Sequence, residues 1–208
     1  MIDEKIIKNE LNLIEDLLKK PTVDQYTKNY ILIRLSAILE NGIKISITKI
    51  LEQYKNKNNC NNRFFLNLSF NELKQISNNE KSIDEVYFGN NQNLANVKKI
   101  NDAFHNIFGL WIFPLIDFCL DKKMNYENKI GKFIFLRNGV VHSLMDTTLS
   151  PTELLKFKDV LLFFLQDLQI FMHSFGELIQ DTPRTGELSH TEKIRLKKRF
   201  LEIKKSIP

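Results

Sequence analysis

A chain of 208 residues with 43% hydrophobic content is long enough to bury a sizeable core and has the composition of an ordinary globular protein. Its 7 Gly and 5 Pro are too few for a fold of many short strands and turns, and its 2 Cys are too few for a disulfide framework. An all-α protein in a reducing, cytoplasmic compartment is therefore expected. The net charge of +5 lies wholly from His190 onward, where seven Lys and Arg stand against two Glu, so residues 1–189 are close to neutral.

Ile2 to Lys20 carries apolar residues at helical spacing and is stopped by Pro21. The N-terminal residues mix charges and lack the apolar core of a signal peptide. Thr22 and Gln25 have the form of a capping box, predicting a long second helix from Val23 to about Asn56. This helix is apolar on most sides between Tyr30 and Leu51, as in a helix packed all round, and Arg34, Ser36 and Glu40 interrupt it. Residues 56–62 are nearly all Lys and Asn and read as a loop; 63–93 reads as a weakly structured insertion. Helix resumes from Leu94 to about Phe108, and Gly109 and Pro114 break it before a short apolar helix, Leu115 to Leu120.

Asn125 can cap a helix from Tyr126 to about Ser143. Ser150, Pro151 and Glu153 form a strong start signal for a core helix running to about Leu178. A linker follows over 181–189, and Ser189 with Glu192 opens a basic helix over 190–208, leaving 1–180 as the main body. The most apolar windows, Ile107 to Leu120 and Val160 to Phe175, are short or interrupted by polar residues, so no membrane span is expected.

The chemistry concentrates in Phe133-Ile134-Phe135-Leu136-Arg137-Asn138-Gly139-Val140-Val141-His142-Ser143. An apolar run delivers an Arg, an amide and a His within six positions. Arg offers a fixed fork of donors to phosphate oxygens, and His both takes and gives a proton near neutral pH. On an ideal helix Arg137 and His142 lie about 140° apart, whereas Asn138 and His142 share a face. The reach of Arg, a distortion at Gly139, or a second copy of the helix would each bring Arg and His to one atom. The alternative is purely structural: a helix-end Arg and a capping His. No His/Cys cluster has metal-ligand spacing, there is no phosphate-binding glycine loop, and no cofactor is expected.

Arg137-Asn138-Gly139-Val140-Val141-His142 resembles the R-x4-H motif of the HEPN superfamily, in the form with Asn after the Arg. The surrounding pattern looks most like the RiboL-PSP type, with an early helix bearing an acidic residue, here Leu35-Ser36-Ala37-Ile38-Leu39-Glu40. The resemblance implies an up-and-down helical bundle that dimerises so that two motifs face each other across a composite cleft. It further implies a metal-independent endoribonuclease used as a toxin or in antiphage defence, with a cognate antitoxin or defence-system protein as partner. Arg137 and His142 would be catalytic, Asn138 would assist, and Glu40 would support. The carboxylate of Glu40 needs a partner: Arg137 in the site, or Arg34 and Lys44 on its own helix. Some relatives carry a Tyr two residues after the His; here that position is Leu144, which argues against inactivation by tyrosine modification. Lys193, Arg195, Lys197, Lys198 and Arg199 of the tail can grip RNA phosphates, although a solvated helix or a dimer-packing arm fits them equally. From a different class, a catalytically silent helical module that binds RNA or protein fits the same pattern.

Overall fold

The structure, a computed structural model, describes residues 4–55, 96–143, 145–180 and 187–206, with isolated positions between 71 and 94. Most of the expected 63–93 insertion, the linker residues 181–186 and Leu144 lie outside the described residues. Within them the chain forms helices and no strands: α1 (Glu4–Leu18), α2 (Gln25–Lys55), α3 (Val97–Phe108), α4 (Ile112–Cys119), α5 (Tyr126–His142), α6 (Pro151–Gln180) and α7 (His190–Ser206). None is long and apolar enough to cross a membrane. The all-α expectation is met. Two compact units divide the chain, Met1–Ile45 with Asn125–Gln166, and Ser46–Met124 with Asp167–Pro208, so α2 and α6 contribute to both.

The first unit buries one face of α1, Leu11, Ile14 and Leu18, whose spacing puts all three on one side of a helix. Ion pairs border that face. Glu10 accepts from Arg34 of α2, and Glu15 accepts from the nearly buried Lys158 of α6. Opposite-charge pairing lowers the Glu15 carboxyl from its ordinary 4.5 to about 2, through Lys158 first and Lys19 second. A carboxylate so depressed stabilises the docked helix above pH 4.5, and that contribution fades as pH falls from there to about 2. Acid titration followed by circular dichroism should therefore show Glu15→Gln losing the stability difference from wild type as pH drops through this window.

Helix α2 begins at Gln25, two residues later than expected, because Asp24 and not Thr22 caps it. The Asp24 carboxylate accepts the Thr27 N–H at 2.7 Å and the Thr27 hydroxyl at 3.1 Å. Further along, Gly42 is buried where a Cβ would stand 2.5 Å from Cδ2 and 2.9 Å from Cδ1 of Leu165 on α6. Glycine here is a packing requirement. Leu165 is itself buried, so it has little room to yield. Gly42→Ala should therefore destabilise by about 1–2 kcal/mol in urea unfolding, overpacking outweighing the roughly 1 kcal/mol that Ala gains in helix propensity.

Helix α6 opens with the expected capping box: Glu153 N–H donates to Ser150 Oγ at 3.2 Å, and Ser150 N–H donates to the Glu153 carboxylate at 2.8 Å. Ser189 and Glu192 repeat the device at α7.

In the second unit, α3 starts at Val97 rather than Leu94, since Asn96 accepts the Lys99 N–H. Gly109 ends it in the left-handed conformation, φ 67°, donating its N–H to His105 O at 2.8 Å. Pro114 does not precede α4 but sits in its first turn, where the N–H it lacks would have had no partner within the helix. The Phe113 N–H of that turn donates to the buried Asn101 side chain of α3. Helix α7 packs on α4, with Leu196 and Phe200 fully buried. Three of its bases are also engaged: Lys197 pairs with Asp121 and lies over the Phe118 ring, Arg199 grips Glu177 with two nitrogens, and Lys204 meets the buried Asp167. The tail helix thus packs within the second unit through Leu196 and Phe200.

Candidate active site on helix α5

The first unit carries the Arg–His stretch, and α5 shows why it stands where it does. Tyr126, completely buried against Phe164 with ring centroids 5.3 Å apart, anchors the start of the helix. Asn125 precedes it in the left-handed conformation, φ 49°, and caps by backbone geometry without a side-chain bond. Ile130, Phe133 and Ile134 continue the buried face, Phe133 packing 5.5 Å from Phe157. The same face, prolonged one turn, reaches Arg137 and Asn138. The motif begins where the core-facing stripe turns polar.

Arg137 and Asn138 are partly buried, and Arg137 Nη1 donates to Asn138 Oδ1 at 3.0 Å. The Arg137 Nε is buried and has no hydrogen-bond partner. Arg34 Nε on α2 is in the same state, so an unpaired nitrogen alone does not mark a site. His142 is the last residue of α5 and its side chain is exposed. The helix is continuous through Gly139, so no distortion there brings Arg and His together. A Cβ on Gly139 would make only an ordinary 4.0 Å contact with Met145 Sδ. The separation of about 140° around the helix therefore stands.

Glu40 is partly buried on α2 in the same unit. The described hydrogen bonds and ion pairs include none between Glu40 and Arg137, and Arg34, expected as a partner on its own helix, is committed to Glu10. Of the five tail residues, Lys197 and Arg199 are held by Asp121 and Glu177, while Arg195 and Lys198 are exposed and Lys193 partly so. The other histidines belong to the second unit. His105 stacks on Trp111 at 4.4 Å, His173 lies 3.6 Å from Glu177, and His190 opens α7.

Sequence reasoning missed the partners of the segment after the motif. Ser143 and Met145 both donate their N–H to Gly139 O, closing the helix end. Beyond it, Thr147 N–H donates to Asn29 Oδ1 at 2.9 Å, and Thr147 O accepts from Gln25 Nε2 at 2.7 Å. Asn29 Nδ2 donates to the Asp146 carboxylate at 3.0 Å, and Gln25 Nε2 also reaches Asn29 Oδ1. Two amides four residues apart, and so on one face at the start of α2, are the available signal; the capping box that Thr22 and Gln25 suggest does not form. Around the helix end, Phe135, Val141 and Met145 are exposed apolar side chains, as are Tyr26, Tyr30 and Ile33 on α2.

A family model described as RiboL-PSP-HEPN matches residues 2–174. Searches of curated proteins and of solved structures find no match.

Proposed function

The chain belongs to the RiboL-PSP-HEPN family, and from that premise we propose that it is a metal-independent endoribonuclease acting in toxin–antitoxin or antiphage defence. The observation that carries this reading is Arg137 fixed through Nη1 to Asn138 on the helix whose last residue is a solvent-facing His142. A phosphate oxygen is the acceptor that completes such a guanidinium, and an exposed imidazole is free to move protons at the same phosphate.

In the proposed reaction the ribose 2′-oxygen attacks phosphorus and loses its proton, while the P–O5′ bond breaks and the departing 5′-oxygen gains one. His142 serves in one of these proton transfers, Arg137 balances the charge that builds on the phosphorane oxygens, and Asn138 orients Arg137. The products are a 2′,3′-cyclic phosphate and a 5′-hydroxyl. Because Arg137 and His142 diverge around one helix, the site is composite, formed by the motifs of two protomers. The exposed Phe135 and Met145 beside the motif support an interface there. Glu40 is a candidate counter-charge for the paired Arg137 side chains when RNA is absent.

Purified protein should fragment total RNA in EDTA and leave cyclic phosphate ends detectable by their resistance to direct 3′ ligation. A reaction that stops in EDTA and returns with magnesium would overturn the mechanism.

A further inference from the structure

We infer that Asn29 and Gln25 are positioning residues for His142: two side chains of α2 fix the segment that leaves the motif helix and thereby fix where the imidazole stands. The inference rests on the ribonuclease reading only for its kinetic consequence.

Arg137 and His142 are held by different means. Arg137 follows directly on Phe133 and Ile134, both buried, so the core fixes its backbone. His142 has no such anchor. It ends α5, its side chain is exposed, and none of the described hydrogen bonds or ion pairs involves that side chain. Its position therefore depends on what restrains the chain immediately after it.

From Met145 to Ser150 the chain has no regular secondary structure. Backbone groups in such a segment need other partners when buried, and Thr147 is 5% exposed. Its N–H goes to Asn29 Oδ1 and its carbonyl to Gln25 Nε2, so two amide side chains pair both polar groups of one residue, much as a neighbouring strand would. Asn29 Nδ2 then takes Asp146. Asn29 spends both ends of its amide on this segment, and the Gln25 bond to Asn29 Oδ1 holds the pair in register. With Gly139 O fastening Ser143 and Met145 from the other side, the chain around His142 is tied at both ends.

Loosening the clamp should therefore release His142 and leave Arg137 in place. Asn29→Ala is expected to lower kcat about 100-fold, the order that a misplacement near 1 Å costs, with KM within about twofold because phosphate binding through Arg137 persists. Asn29→Asp sets a carboxylate against Asp146 and should be equally slow. Combining it with Asp146→Asn exchanges donor and acceptor, restores the bond and should recover kcat. Gln25→Ala, which removes a single carbonyl partner, gives a smaller loss and serves if Asn29→Ala fails to fold. Glu15→Ala loosens α1 in the same unit without touching the segment, so its kcat should stay at the wild-type value.

The imidazole proton signals of the four histidines provide the readout that needs no activity. In Asn29→Ala the His142 signals should shift or broaden while those of His105, His173 and His190 keep their wild-type positions. If wild-type protein cleaves no RNA, the ribonuclease reading falls and these spectra alone decide the clamp. His142 signals unchanged in both Asn29→Ala and Gln25→Ala, or a kcat equal to wild type in an active enzyme, overturns it.

Discussion

His142→Ala and Arg137→Ala are each expected to reduce RNA cleavage to background while the protein stays folded. Loss of a general acid or base costs about 10² to 10⁴ in rate, and loss of a preorganised donor to a developing oxyanion costs about 10² to 10³. The structural cost is far smaller. His142 is exposed, so its truncation should change stability by no more than about 0.5 kcal/mol. Arg137 gives up a bond to Asn138, worth about 0.5–1.5 kcal/mol, but its removal also relieves a buried Nε that has no partner. Arg137→Lys separates charge from shape: it keeps the positive charge and loses the planar fork, and should remain strongly impaired. Cleavage assays run beside circular dichroism check the set, and growth arrest on expression, relieved by His142→Ala, checks the toxin reading. Wild-type cleavage by His142→Ala, or unfolding of both alanine variants, would remove the motif from the mechanism.

The helices were legible because their signals are local. Ser150 with Glu153 and Ser189 with Glu192 each lie within one turn, and both boxes form as spaced. Errors arose where two local signals competed. Thr22 and Gln25 had capping-box spacing, yet Asp24 sat one turn before Thr27 and its ionised carboxylate accepts both the N–H and the hydroxyl there. Pro114 read as a breaker, although the first turn of a helix tolerates it, and the run of Ile112 and Phe113 before it carries α4 back to Ile112.

The candidate site divided along the same line. Arg137, Asn138 and His142 share one helix, so residue type and spacing exposed them. The clamp joins residues 117 to 122 positions apart, and no periodicity in either segment encodes that pairing. Glu40 shows the converse. Of the partners the sequence offers it, Arg137 in the site and Arg34 and Lys44 on its own helix, Arg34 has Glu10, brought in by the apolar face of α1.

Mixing Arg137→Ala protomers with His142→Ala protomers, each inactive alone, should restore RNA cleavage. The reason is geometric. Helix α5 runs unbroken through Gly139, and an unbroken helix keeps Arg137 and His142 about 140° apart. A long Arg side chain could close part of that angle, but Nη1 is tied back to Asn138 and Nε is buried. In the proposed dimer, the partner protomer would supply a His opposite each Arg. After subunit exchange at equal concentrations, about half the dimers are mixed and hold one intact Arg137 and one intact His142. The interface is testable apart from chemistry. Phe135, 76% exposed on the motif helix between the buried Ile134 and the partly buried Leu136, is a large apolar side chain that a single protomer leaves in water. Phe135→Lys should shift light scattering from dimer to monomer and abolish cleavage, with helicity unchanged because the residue supports no core contact. Full activity from a protein that scatters as a monomer at assay concentration would sink the composite site, and the reach of Arg137 within one protomer would then have to carry the reaction.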